Sequence, residues 1–339
     1  MDTKERSFVS ADEVARLAGV SRSAVSRTFT NGASVSAATR QKVLRAAETL
    51  GYHVNHLARG LSHERSGIVC LVVADLPTPH QARMVDVVTR QLQAIGKIGM
   101  LINTTGEPDA VAAAMRKTVN YRAEAVIVVS GAPAPSLIAT CLANGQRVIL
   151  INRDDHLDGP TNIVVANAAA AREACFLLQR AGCQRLGLVS STAGTPSLTT
   201  REAGFLAAAR DSGLVARAVR AGPTGYAAGA EAARRFFSQS DPPDGVFCVT
   251  DLLALGFMDA ARHEFAIAVP EDLCIIGFDD IEQAGWAAYD LTTFRQPLDQ
   301  IAAHIVTLLE AEGPPTDAPV TFELLPVWRR SVRPRPRRT

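Results

Sequence analysis

Two consecutive series of short apolar runs, each interleaved with segments of helical period, constrain most of this chain to one architecture. The first series is IVCLVV (68–73), IGMLI (98–102), AVIVV (125–129) and RVILI (147–151), with helical segments near 80–95, 109–121 and 135–143. The second is NIVV (162–165), RLGLVS (185–190), VARAV (215–219), GVFCV (245–249) and LCIIGF (273–278), again separated by helical stretches. Strands that are apolar on both faces and joined by helices form parallel sheets covered on both sides. Two such series predict two doubly wound α/β lobes with a ligand cleft between them. An amphipathic helix over 296–310 and a last strand in FELLPVW (322–328) complete the body.

The segment before these runs has a different texture. In ADEVARLAGVSRSAVSRTFT (11–30), Ser10 is placed to cap a first helix and Glu13 to close a capping box. Val14 and Leu17 are expected on its inner face, and Gly19 ends it in a left-handed turn. Ser21 caps a second helix whose apolar stripe is Ala24, Val25 and Phe29, with Arg22, Ser23, Ser26 and Arg27 pointing away. A small residue, a glycine four later and a β-branched residue six after that, here Ala15, Gly19 and Val25, is helix-turn-helix spacing. On these three positions alone an ordinary αα-hairpin fits equally well. After a turn-rich loop (31–35), Ser36 caps a third helix, AATRQKVLRAAETL, with Val43, Leu44, Ala47 and Leu50 inward and Gly51 as its stop. Three short helices make an all-α, DNA-reading head.

Charge supports that reading. Residues 1–65 carry ten Lys/Arg against six Asp/Glu, residues 66–328 nineteen against twenty-eight, and residues 329–339 six arginines and no acid. A basic head on an acidic body is the pattern of a protein in which one part meets phosphate. The 339 residues suit two or three domains. Six cysteines form no CxxC pair and no zinc-spaced Cys/His cluster. Cys70, Cys248 and Cys274 fall in strand-like runs and read as core. No signal-type apolar region and no membrane-length run is present, so a cytoplasmic, nucleoid-associated protein with reduced thiols is expected.

Three stretches in order and spacing carry a family resemblance: GVSRSAVSRTFTNG, VSAATRQKVLRAAETLGY and LARGL. The chain resembles the lac repressor (LacI/GalR) family of bacterial transcription regulators. The resemblance implies a hinge helix over 56–61 that folds on DNA, with Leu61 wedged into the minor groove at the operator centre. Gly60 stands where most members have serine, and glycine weakens a helix by roughly 0.5–1 kcal/mol relative to alanine. The chain then divides into a head (1–51), a hinge (52–65) and an effector-binding and dimerisation body (66–335). The body comprises an N-terminal lobe (66–166 and 295–326) and a C-terminal lobe (167–294 and 327–335), of the periplasmic-binding-protein type. Crossovers between lobes are implied near Asn167, Phe294 and Pro326. Arg22 and Ser23 are the expected base readers, with Ser21, Ser26, Arg27 and Arg59 on the backbone.

The C-terminal ends of strands face the cleft in this architecture. They carry Asp75, Ser130, Asn152 and Arg153, Ser191, Asp251 and Asp279. Carboxylates and an arginine on one cleft suit the paired hydroxyls of a polyol. The resemblance, strongest at NRDD (152–155), REAGF (201–205), TDLLALG (250–256), GFDD (277–280) and LTTFRQP (291–297), points to Arg153, Arg201, Asp251 and Asp279 as effector contacts. Arg201 also reads as a helix-surface residue and Asp251 as a helix N-cap. Trp286 and Tyr289 are candidates for a wall against sugar C–H faces or for ordinary packing. Two departures stand out. DLPTPHQ places His80 and Gln81 where the family often has aromatics, and Ala166–Asn167 replaces a usual Asp–Asn pair. A less aromatic cleft with a histidine and arginines suits a sugar acid.

The tail RRSVRPRPRRT lacks a leucine heptad, so a homodimer is expected. No Walker A loop, GxGxxG after a strand or GxSxG is present, and no catalytic residue, cofactor or metal is expected. The reading is a repressor of carbohydrate or sugar-acid catabolism genes that binds a pseudo-palindromic operator and a small effector. A sugar-binding protein of the periplasmic type without a transcriptional role is the alternative.

Overall fold

The computed structural model describes residues 9–30, 33–53, 66–153, 159–311, 313 and 319–334. The hinge candidates Arg59 and Leu61 lie outside the described residues. The chain divides into two compact units, Met1–Ser66 and Gly67–Thr339.

The first unit contains α1 (Ala11–Ala18), α2 (Arg22–Thr28) and α3 (Ala37–Leu50). Ser10 and Glu13 form the reciprocal capping box, Ser21 and Ser36 cap the next two helices, and Gly19 and Gly51 close helices at φ 64° and 66°. Val14, Ala15, Val25, Val43, Ala46 and Ala47 form the core. Leu17 and Leu44 depart from the expected pattern, being 53% and 46% exposed. In so small a head each helix buries only a narrow stripe. On α3 that stripe is Val43, Ala46 and Ala47, and Leu44, one residue on, is turned about 100° away from Val43. Phe29 is the C-cap of α2 and packs on Tyr52, with Thr28 taking the buried place at the helix end.

The second unit contains two parallel sheets. Strands β1 (Ile68–Ala74), β2 (Ile98–Thr104), β3 (Ala125–Val128), β4 (Arg147–Ile151) and β5 (Thr161–Val165) join β11 (Val320–Phe322) in the order β11-β5-β4-β3-β1-β2. Their connections include α4 (Pro79–Ala94), α5 (Pro108–Asn120) and α6 (Pro135–Ala143). Alternate residues of β1 serve opposite faces: Val69, Leu71 and Val73 join α4, whereas Val72 joins α5 and α6. Every residue of β1 is buried, which is why its sequence is apolar without alternation.

The second sheet has the order β7-β6-β8-β9, with β6 (Arg185–Ser190), β7 (Val215–Arg220), β8 (Gly245–Cys248) and β9 (Cys274–Ile276). Around it run α7 (Asn167–Arg180), α8 (Pro196–Asp211), α9 (Tyr226–Phe237) and α10 (Asp251–Phe265). Helices α9 and α10 cross at Gly229 and Gly256, where a Cβ on either glycine would overlap the opposing helix's carbonyl.

The chain passes from the first sheet to α7 directly after β5. It returns through β10 (Thr293–Arg295) and α11 (Leu298–Glu310), which packs against α4, and leaves again through β12 (Leu325–Val327), antiparallel to β10. The expected single strand FELLPVW is thus two short strands in different sheets, because Glu323 and Leu324 carry the chain between them. Among the described residues no helix is long and apolar enough to cross a membrane.

Candidate functional site

In the head, Ser21, Arg22, Ser23, Ser26 and Arg27 are all exposed. Ser21 is committed to its helix, its Oγ accepting from Ala24 N–H at 3.3 Å and lying 2.9 Å from Ser23 Oγ. Arg22 is 3.9 Å from Asp12 of α1, a solvent-exposed pair that is easily exchanged for another anion. The face opposite the apolar stripe of α2 is therefore polar, cationic and open.

In the body, the strand ends hold two groups of residues. On the first sheet, Ser130 Oγ donates to Ala74 O at 2.8 Å and accepts from Ala74 N–H at 2.6 Å, joining the ends of β1 and β3. Asp75 follows, exposed and at φ 56°. Arg153, after β4, donates to Gly131 O at 3.4 Å.

The second group is buried. Arg201, on α8, is 3% exposed and donates to Asn167 Oδ1 at 2.8 Å and to Val249 O at 2.7 Å. Its guanidinium lies 3.5 Å from the Phe278 ring centre and 3.5 Å from Asp279 Oδ1. Burial lowers its pKa to about 10, against the opposing pull of Asp279 and Asp251, so it remains a cation at neutral pH. Arg201 is thus a core residue and not a helix-surface one. Asp279 also accepts from Gln296 Nε2 at 2.7 Å. Asp251 is fully buried behind this cluster, where it accepts from Ile281 N–H at 2.9 Å and Thr293 Oγ1–H at 2.5 Å. The N-cap of α10 is Thr250, so Asp251 does not cap that helix.

His80 links the groups. It sits in the first turn of α4, which packs on the first sheet, and its Nδ1 is 3.9 Å from Asp279 Oδ1, which belongs to the second. Burial holds its pKa below the usual histidine value, so it is neutral near pH 7. A cavity of about 390 Å³ opens beside it, bordered by His80, Arg83, Asp279, Gln283, Arg295 and Gln296 among others. Among the described residues the buried Gln283 Oε1 and Gln296 Oε1 have no hydrogen-bond partner, and both side chains belong to this wall. Gln296 was not singled out from sequence, although it stands within LTTFRQP. An amide in a crossover segment has no local periodicity to mark it.

Trp286 lies outside the cavity lining, 49% exposed after the short 3-10 turn Glu282–Gly285. The Tyr289 hydroxyl donates to Asp259 of α10 at 2.8 Å, a packing role. Among the described residues no group of three or more His, Cys, Asp or Glu is placed to hold a metal ion.

Comparison with known proteins matches two family models, "Bacterial regulatory proteins, lacI family" over residues 11–55 and "Periplasmic binding protein-like domain" over residues 176–332. The HTH-type transcriptional regulator GalS of Salmonella typhimurium is 30% identical over 311 residues, covering 90% of both chains. The chain belongs to the LacI family. It is a DNA-binding, ligand-responsive transcription regulator, and the relatives are regulators and not enzymes. The fold of this LacI-family member matches that of a lac repressor dimer bound to operator and the anti-inducer ONPF, with a TM-score of 0.85 at 21% identity over 97% of this chain and 100% of that one. It also matches the transcriptional regulator CelR–cellobiose complex, with a TM-score of 0.70 at 24% identity over 95% of this chain and 99% of that one.

Proposed function

We propose that the chain is a homodimeric repressor of carbohydrate-catabolism genes whose operator affinity is set by a polyhydroxylated ligand bound at the His80–Asp279–Gln296 wall. Residues 1–51 read DNA, 52–65 form the hinge, and 66–335 bind effector and dimerise. Arg22 and Ser23 read base edges, Ser21, Ser26, Arg27 and Arg59 position the backbone, and Leu61 wedges the operator centre. Asp75, Ser130 and Arg153 face the effector from the first sheet and Arg201 and Asp279 from the second, with Asp251 buried behind them and Trp286 exposed beyond the cavity at its edge.

The observation that carries this reading is the His80–Asp279 approach across the two sheets. A ligand there changes how one lobe is held against the other, and an effector acts only through such differential binding. The cavity's charge bears on ligand class. Asp86, Asp279, Asp280 and Glu282 line it against Arg83 and Arg295, and Arg201 is already engaged by Asn167, Val249 and Asp279. The carboxylates are likewise paired, Asp86 with Arg90, Asp279 with Arg201 and Asp280 with Arg295 and Arg329, so among the described residues the wall has no uncommitted cation cluster for an acid and favours a neutral sugar. Dimerisation is supported by the edge strand β2, which leaves Ile98 53% and Leu101 41% exposed.

Selection of random duplex DNA by the purified protein, with and without pools of neutral sugars and of aldonic acids, tests the reading. The expected result is a palindrome whose retention changes with a neutral sugar, and calorimetric heat for that sugar alone. Acid-specific binding would reverse the ligand class. No enriched sequence under any condition would overturn the repressor assignment.

A further inference from the structure

Cys183 and Cys274 lie far apart in the chain, and sequence spacing gives no reason to associate them. The fold brings them together at the far end of the second sheet from its ligand-facing strand ends. Gly245 of β8 is the register partner of Cys274 in β9. A Cβ on Gly245 would come within 2.8 Å of both Cβ and Sγ of Cys183, so the Cys183 side chain fills the space that this glycine leaves open. Both cysteines then converge on one carbonyl: Asp244 O accepts from Cys274 N–H at 3.0 Å and from Cys183 Sγ at 3.4 Å.

Arg333 spans the pair. Its backbone N–H donates to Cys274 Sγ and its guanidinium to Cys183 Sγ, each at 3.4 Å. The same guanidinium is oriented by Pro270 O at 3.1 Å and Glu271 O at 2.7 Å. It also borders a cavity of about 490 Å³ shared with Leu177, Ala181, Trp328 and Val332. Arg333 is therefore both the cation on the thiols and the side chain between them and open space.

We propose that Cys183 and Cys274 are a peroxide-reactive thiol pair that closes to a disulfide under the C-terminal segment. The electrostatics suit this chemistry. The neighbouring Cys183 sulfur, aided by Arg333, lowers the Cys274 pKa to about 7 against burial and the Asp244 carboxylate. The Cys183 thiol is held well above its usual value, first by its interaction with Cys274 and then by burial. Arg333 meets both sulfurs, its backbone N–H on Cys274 and its guanidinium on Cys183, so a thiolate formed in this pair, with Cys274 the more acidic member, is held beside a cation in the nucleophilic form.

The Cys274 sulfur attacks one oxygen of hydrogen peroxide, the O–O bond breaks, and the leaving hydroxide takes a proton to become water. Cys183, deprotonated, then attacks the resulting sulfenic sulfur, the S–O bond breaks, and a second hydroxide leaves and is protonated. Two thiols and one peroxide yield one disulfide and two waters, with two electrons passing from sulfur to oxygen.

Intact-mass and peptide analysis of the full-length protein titrated with hydrogen peroxide tests the proposal. The expected result is loss of two mass units and a Cys183–Cys274 link, formed well before the other four cysteines react and faster as pH rises through about 7. Cys183→Ser should stop at a sulfenic acid on Cys274 that dimedone traps, and Cys274→Ser should leave Cys183 unreactive at neutral pH. The urea-unfolded wild type should lose the preference for this pair. A wild type whose six thiols react at one rate, or in which another pair links first, overturns the proposal whether or not the variants fold.

Discussion

Replacing Asp251 by asparagine isolates what it costs to keep a carboxylate at the centre of the second lobe. Asp251 is fully buried, and both its oxygens are used, by Ile281 N–H and by Thr293 Oγ1–H. Burial, followed by the neighbouring Asp279 carboxylate, raises its pKa from 3.8 to about 7. A folded pKa above the unfolded one means that this carboxyl's contribution to stability is full below about pH 4 and is lost as pH rises through about 7. At ~1.4 kcal/mol per pH unit, the loss across that window is at most about 4 kcal/mol. Asparagine keeps the shape, accepts from Ile281 and offers its amide hydrogens to the Thr293 oxygen, but never ionises. Urea unfolding of both proteins across the window is the assay. Relative to the wild type, Asp251→Asn should gain stability by about 2–4 kcal/mol between about pH 4 and pH 8. Parallel stability curves would refute the argument, because they would mean that Asp251 titrates alike folded and unfolded.

Arg22→Ala should relax base preference at one position per half-site, at a cost of ~1–3 kcal/mol, in selection from random duplexes. An unchanged preference would remove Arg22 from base reading. Ser10→Ala removes the hydroxyl half of the capping box, leaving the backbone N–H of residue 10 on the Glu13 carboxylate, and should weaken α1 by ~1 kcal/mol, read as lost hydrogen-exchange protection of its first turn with α3 unaffected. Gly256→Ala drives a methyl into Tyr226 O where α9 and α10 touch. It should destabilise the body by at least the ~1–3 kcal/mol typical of overpacking, seen as a lower Cm with an unchanged m-value.

The sequence by itself determined the elements. Apolar runs of strand length separated by helical periods could form little else, and Ser10, Glu13, Gly19, Ser21 and Ser36 mark their helix ends with local chemistry that needs no tertiary help. The polar residues that close the apolar runs, Asp75, Ser130, Arg153, Asp251 and Asp279 among them, were legible as strand ends for the same reason, since a polar residue closing an apolar run stands out. Tertiary structure decided what local pattern cannot encode. Leu17 and Leu44 are apolar yet exposed, because the width of a buried stripe depends on how many helices surround it. FELLPVW splits between two sheets, because its partners, β5 and β10, are distant in the chain. Which side chains meet across the lobes was decided in the same way. The approach of His80 to Asp279 and the service of Gln296 to the same carboxylate join residues whose separation in the chain carries no periodic signal. Contacts of that kind arise only once the crossovers have set one sheet against the other.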